Sequence, residues 1–94
     1  MNYKEINQKA LEHFGIHNQQ MKAIEEMAEL TNALMRLRDG RCAEQDVITE
    51  IADVTIMMQQ LALFFGQAQV DSEIRYKMYR LDGRLQEEKN VTSL

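Results

Sequence analysis

Residues 43–65 read AEQDVITEIADVTIMMQQLALFF, and this stretch decides the fold. Val47, Ile48, Ile51, Ala52, Val54, Ile56, Met57, Met58, Leu61, Leu63, Phe64 and Phe65 fall nearly all round a helix instead of along one stripe. Such a helix must be enclosed on several sides. Glu44 and Asp46 occupy its first turn, where they suit the helix dipole, and Gly66 stops it. Glu50 and Asp53 stand inside it, and charges in so apolar a setting are costly to bury unless paired or bound to a metal.

The flanking sequence supplies its neighbours. Upstream, Ile6, Ala10, Leu11 and Phe14 recur near helical spacing and predict a first helix over about 3–13, stopped by Gly15. A second helix is expected from about Asn18, a good N-cap type, to Arg38, with Asp39-Gly40 as its stop. Its apolar face reads Met21, Ile24, Met27, Ala28, Thr31, Leu34 and Met35, flanked by Leu30 and Leu37. Downstream, Asp71 and Ser72 can cap a fourth helix over about 72–88, with Ile74, Met78, Leu81 and Leu85 as its stripe. Residues 90–94 are expected to fray. The expectation is an all-α four-helix bundle in which residues 1–94 form one domain.

Composition agrees and narrows the function. The chain has no proline, four glycines and seven methionines, which favours long helices. A net charge of −4 without a basic run argues against a nucleic-acid polymer as partner. Cys42 is the only cysteine, which excludes an internal disulfide and a thiolate zinc site; it reads as a helix-entry or buried small residue. The N-terminus has no signal-peptide pattern, and no apolar run approaches the roughly 20 residues of a membrane span. A cytoplasmic protein without membrane attachment is expected. A chain this short also buries little, so the third helix predicts a homo-dimer or homo-tetramer.

Chemistry concentrates in two acidic clusters, Glu25-Glu26-Met27-Ala28-Glu29 and Glu50-Ile51-Ala52-Asp53, with twenty residues between them. An i,i+3 pair on a helix aims two side chains in nearly one direction. Glu26 and Glu29 share an edge with Gln19, Lys22, Ala33 and Arg36, and Glu50 and Asp53 share a stripe with Asp46, Met57, Gln60 and Phe64. Glu25 points about 100° away from Glu26, toward solvent or toward a position behind the metal ligands. Two facing pairs would make an all-oxygen site suited to a hard divalent cation. A di-iron centre would need Glu-x-x-His on two helices, and neither His13 nor His17 has a Glu three residues earlier. On the fourth helix Lys77, Arg80 and Arg84 form a basic stripe, either a solvated face or a phosphate clamp.

Together these motifs resemble the MazG-type all-α nucleoside triphosphate pyrophosphohydrolases, whose signature is EExxE followed by ExxD. The resemblance covers about residues 14–85, including Gln20-Met21-Lys22-Ala23-Ile24 before the first motif and the later Lys77-Met78-Tyr79-Arg80-Leu81. It implies Glu26, Glu29, Glu50 and Asp53 as ligands of Mg²⁺, with Mn²⁺ as a substitute, and Glu25 and Glu26 as catalytic carboxylates. Lys77, Arg80 and Arg84 would bind phosphates, with Lys22 a weaker candidate. The implied reaction cleaves the α–β phosphoanhydride of a nucleoside triphosphate, giving the monophosphate and pyrophosphate, in nucleotide-pool cleansing. The related phosphoribosyl-ATP pyrophosphohydrolases share the Lys22-to-Glu29 pattern but carry a histidine after the aspartate, where this chain has Thr55 to Met58. Met57 also replaces the tyrosine or asparagine of some nucleotide-selective relatives. For base stacking, Phe14, His17, Phe64, Tyr76 and Tyr79 are available. The reading from another class is a non-enzymatic helical dimer acting as an interaction or regulatory module.

Overall fold

The computed structural model describes residues 1–92, with only the backbone for 90–92. It is all-helical, with α1 over Tyr3–Phe14, α2 over Ile16–Arg38, α3 over Glu44–Phe65 and α4 over Gln67–Thr92; there is no strand among the described residues. The chain divides into two compact units, Met1–Phe64 and the residues from Phe65 onward.

In the first unit, α1 starts where Asn2 Oδ1 accepts the Glu5 amide at 3.0 Å. Gly15 alone separates α1 from α2: its N–H donates to Leu11 O at 2.9 Å and its carbonyl accepts from Gln19 N at 3.1 Å. Helix α2 therefore begins at Ile16, earlier than Asn18 suggested. The Asn18 amide instead donates back to Phe14 O at 2.7 Å, closing the end of α1. At the far end of α2, Arg41 N donates to Arg36 O at 2.7 Å and Gly40 N to Leu37 O at 3.0 Å. This is the Schellman pattern, and Gly40 supplies the positive φ of 71° that it needs. Helix α3 opens on half of a capping box, Ala43 N donating to Asp46 Oδ2 at 2.9 Å.

Side-chain amides tie the three helices together. Gln19 Nε2 donates to Gln60 Oε1 at 2.7 Å, Gln60 Nε2 to Asn7 Oδ1 at 3.2 Å, and Asn7 Nδ2 to Gln59 Oε1 at 3.1 Å. Asn7, Gln19 and Gln60 are all buried, so this relay replaces water at the junction of α1, α2 and α3. Cys42 is half-buried, its thiol donating to Ala33 O at 3.4 Å.

The inward face of α2 differs from the apolar arc read off the sequence. From Gln19 its covered positions include Ala23, Glu26, Leu30, Ala33 and Leu37, spaced alternately four and three apart. Ala23 and Ala33 are buried, whereas Met21, Ile24, Met27, Leu34 and Met35 are exposed. Small side chains let two helices approach closely, so α2 presents Ala23, Ala33 and Glu26 inward with Leu30 and Leu37, and most of its large apolar groups outward. On α3, Val47, Met57 and Gln60 are buried and Glu50, Asp53 and Val54 half-buried, while Ile48, Ile51, Ile56 and Met58 are exposed. By length and composition α3 could also cross a membrane, contrary to the expectation that no segment reaches that size. Its two mid-helix carboxylates interrupt the apolar run, and Gln59 and Gln60 bond to α1 and α2.

In the second unit α4 begins at Gln67, five residues before the expected start. Gly66, at φ 127°, breaks α3 by itself, and Val70 N already donates to its carbonyl at 3.0 Å. Asp71 therefore lies within the helix, where it accepts from Gln67 Nε2 at 2.9 Å. Residues 90–92, expected to fray, continue α4; Ser93 and Leu94 lie outside the described residues.

Candidate metal centre

The Glu-x-x-Glu of α2 and the Glu-x-x-Asp of α3 meet across the first unit. Glu26, Glu29 and Glu50 each offer one carboxylate oxygen, and these oxygens all lie within 4.8 Å of one another. Glu26 and Glu50 are half-buried and Glu29 exposed, so the cluster sits at the mouth of a cleft and not in a sealed core. One oxygen of each half-buried acid, Oε2 of Glu26 and Oε2 of Glu50, is shielded from solvent and has no hydrogen-bond partner. An orphaned acceptor of this kind costs about 1–3 kcal/mol, more when charged.

Electrostatics points the same way. Burial pushes the Glu26 carboxyl above its ordinary range, and the charges of Glu29 and Asp53 push it further. Lys22 opposes them, its Nζ lying 3.7 Å from Glu26 Oε1. A hydrogen bond with Glu29 also favours the protonated form. The donor set is wholly oxygen, half desolvated and short of cations, and it fits a hard divalent cation.

The remaining sequence candidates fall as follows. Asp53 is half-buried and near enough to act on Glu26, though the close set of oxygens comprises the three glutamates. Glu25 is exposed on the outer side of α2. Met57 is buried core, only 3% exposed. Among the aromatics, Phe14 packs edge-on against His13 with ring centroids 4.7 Å apart. Lys77, Arg80 and Arg84 are exposed on α4 in the second unit, where Arg80 lies 5.7 Å from the centre of the Tyr76 ring.

Beside the carboxylates, a polar cavity of about 320 Å³ is lined by Glu29, Asn32, Ala33, Arg36, Asp46, Thr49 and Glu50. Asn32 and Thr49 had not been singled out from the sequence. The available signal was helical offset: Asn32 lies one turn beyond Glu29, and Thr49 adjoins Glu50. A larger groove of about 460 Å³ between α1 and α3 is mainly apolar, lined by Tyr3, Ile6, Ala52 and Ile56 among others, with Asn7 and Gln59 at its amide end. Comparisons with family models, with curated proteins and with solved structures give no match to this chain.

Proposed function

We propose that the chain is a Mg²⁺-dependent nucleotide pyrophosphohydrolase of the MazG type, cleaving the α–β phosphoanhydride of a nucleoside triphosphate. The observation that carries this reading is the convergence of Glu26, Glu29 and Glu50, with two of their oxygens shielded from water and left unpartnered. A purely structural role gives no reason to gather like charges in a half-buried cleft, because each raises the cost of ionising the others. Spacing of both acidic motifs supports the family assignment; the cluster supports the metal.

In this reading Glu26, Glu29 and Glu50 hold the cation, with Asp53 completing the set. When bound, Mg²⁺ neutralises phosphate charge and lowers the pKa of water. The chain's own groups do the rest. Glu26, whose Oε2 is unpartnered, takes the proton of the attacking water as its oxygen bonds to the α-phosphorus, since Glu25 is exposed on the outer side of α2. The bridging oxygen leaves with pyrophosphate. Lys22 supplies positive charge beside Glu26, and Lys77, Arg80 and Arg84 supply the basic groups for phosphate. The working protein is a homo-oligomer, dimer or tetramer.

The test is pyrophosphate and monophosphate production from a panel of ribo- and deoxynucleoside triphosphates, with Mg²⁺, with Mn²⁺ and with chelator. Metal-dependent release of both products supports the reading. An inert protein that still self-associates through its helices would instead favour the non-enzymatic module, for which the exposed apolar groups of α2 and α3 speak.

A further inference from the structure

The cavity beside the carboxylates holds one cationic side chain, Arg36, and that residue lies outside both acidic motifs. On α2, Lys22, Glu26, Glu29, Ala33 and Arg36 follow one another at intervals of four, three, four and three residues, so they form a single stripe along the helix. Lys22 flanks the acids toward the start of α2 and is already paired with Glu26. Arg36 flanks them toward its end, about 10 Å beyond Glu29 at the rise of a helix. Its guanidinium is exposed, and Nη2 rests against Arg41 O at 3.5 Å, a long contact that aligns the group while leaving its other donors uncommitted. Asn32 and Thr49 add neutral polar groups to the same cavity.

We infer that this cavity is a phosphate subsite continuing from the metal centre, with Arg36 as its anchor. The inference rests on the metal-centre reading above and adds to it the direction in which the ligand lies. Guanidinium suits the role because its fork matches two phosphate oxygens at once. Charge in the cavity sets a condition on entry. Glu29, Glu50 and Asp46 line it against the one arginine, and Ala43 N–H donates to Asp46 Oδ2. A bare polyanion is repelled there; one carrying a divalent cation is not. The subsite therefore takes a diphosphate or triphosphate group only as its metal complex, and Arg36 distinguishes it from a plain cation site.

Titration calorimetry on the full chain tests this, with Mg²⁺ alone and with inorganic pyrophosphate in the presence and absence of Mg²⁺. Arg36→Ala should weaken Mg²⁺-dependent pyrophosphate binding about tenfold or more while changing the affinity for Mg²⁺ alone by no more than about twofold. Arg36→Lys should give an intermediate loss, since it keeps the charge and loses the fork. Circular dichroism of both variants checks that helicity is retained, and Arg36→Gln replaces the alanine variant if it is not. Wild-type pyrophosphate binding by Arg36→Ala, or equally strong binding without metal, overturns the subsite and leaves the metal centre standing. A wild-type protein that binds neither Mg²⁺ nor Mg²⁺-pyrophosphate overturns both.

Discussion

Glu26 is the residue on which the site's physics can be checked directly. Its carboxyl is raised by burial and by the neighbouring acids, so the folded, metal-free protein binds this proton more tightly than the unfolded chain does. The consequence has a definite sign: protonated Glu26 favours the folded state below the unfolded carboxyl pKa, and that contribution is lost as pH rises through the folded value. Metal-free protein should therefore gain stability on mild acidification from neutral pH, until other carboxylates begin to protonate. Glu26→Gln should raise metal-free stability at pH 7 by about 1 kcal/mol and lower divalent-metal affinity at least tenfold. Urea titrations in chelator, paired with Mg²⁺ calorimetry, measure the two changes separately. A destabilised variant with unchanged metal binding would mean that the carboxylate is structural. For the basic stripe, Lys77→Ala or Arg80→Ala should weaken triphosphate binding by about 1.5–3 kcal/mol, the worth of one charge-assisted hydrogen bond. Unchanged binding in both variants would leave α4 with a merely solvated face. The acids themselves were legible from spacing alone, because an i,i+3 pair shares a direction whatever surrounds it. That Glu26 and Glu50 would each hold an orphaned oxygen was not legible, because it depends on atoms from the opposite helix.

At the scale of elements, the amide relay of Gln19, Gln60, Asn7 and Gln59 does what apolar contacts do elsewhere: it sets which turn of α1 and α2 meets which turn of α3. Gln60→Leu keeps the volume but leaves the Gln19 and Asn7 amides without their shared partner. It should destabilise the protein by about 1–3 kcal/mol in urea denaturation. A neutral effect would show that water substitutes for the relay. Helical spacing puts Gln19 and Gln60 on the acidic faces of α2 and α3, but only the fold brings these amides, 41 to 53 positions apart, together. The sequence reading took the heaviest apolar arc of α2 as the buried face. Periodicity reports which residues share a face, but not which of two faces is covered, and alanines count for little on a hydropathy scale although they let backbones approach. The stops at Gly15, Gly40 and Gly66 were legible as breaks. Their lengths were not: Gly15 and Gly66 each make a one-residue link, where polar neighbours had suggested longer loops.

The whole molecule leaves a great deal of apolar surface uncovered. Ile24, Leu34 and Met35 of α2 and Ile48, Ile51 and Ile56 of α3 are each about half exposed, and Ile74, Met78 and Leu85 of α4 more than half. Soluble monomers rarely present apolar groups of this size in such number, and a two-fold interface buries about 800 Å² per partner. Sedimentation at micromolar concentration should therefore find a dimer or larger assembly. Ile48→Glu together with Ile51→Glu should shift it toward monomer. A wild-type chain that sediments as a folded monomer would show that these groups are covered within the chain itself.

Sequence by itself determined the helical class, the count of helices, their breaks at glycine and the two places where carboxylates gather. All of these follow from interactions spanning a turn or two of chain, which local residue order controls. Only the tertiary structure decided that α2 turns Ala23, Ala33 and Glu26 inward, that Glu26, Glu29 and Glu50 form the tight group with Asp53 beside it, and that Arg36, Asn32 and Thr49 share their cavity. Those outcomes depend on how closely two helices can approach and which buried polar atoms then find partners. Both quantities belong to the pair of helices and to neither one alone.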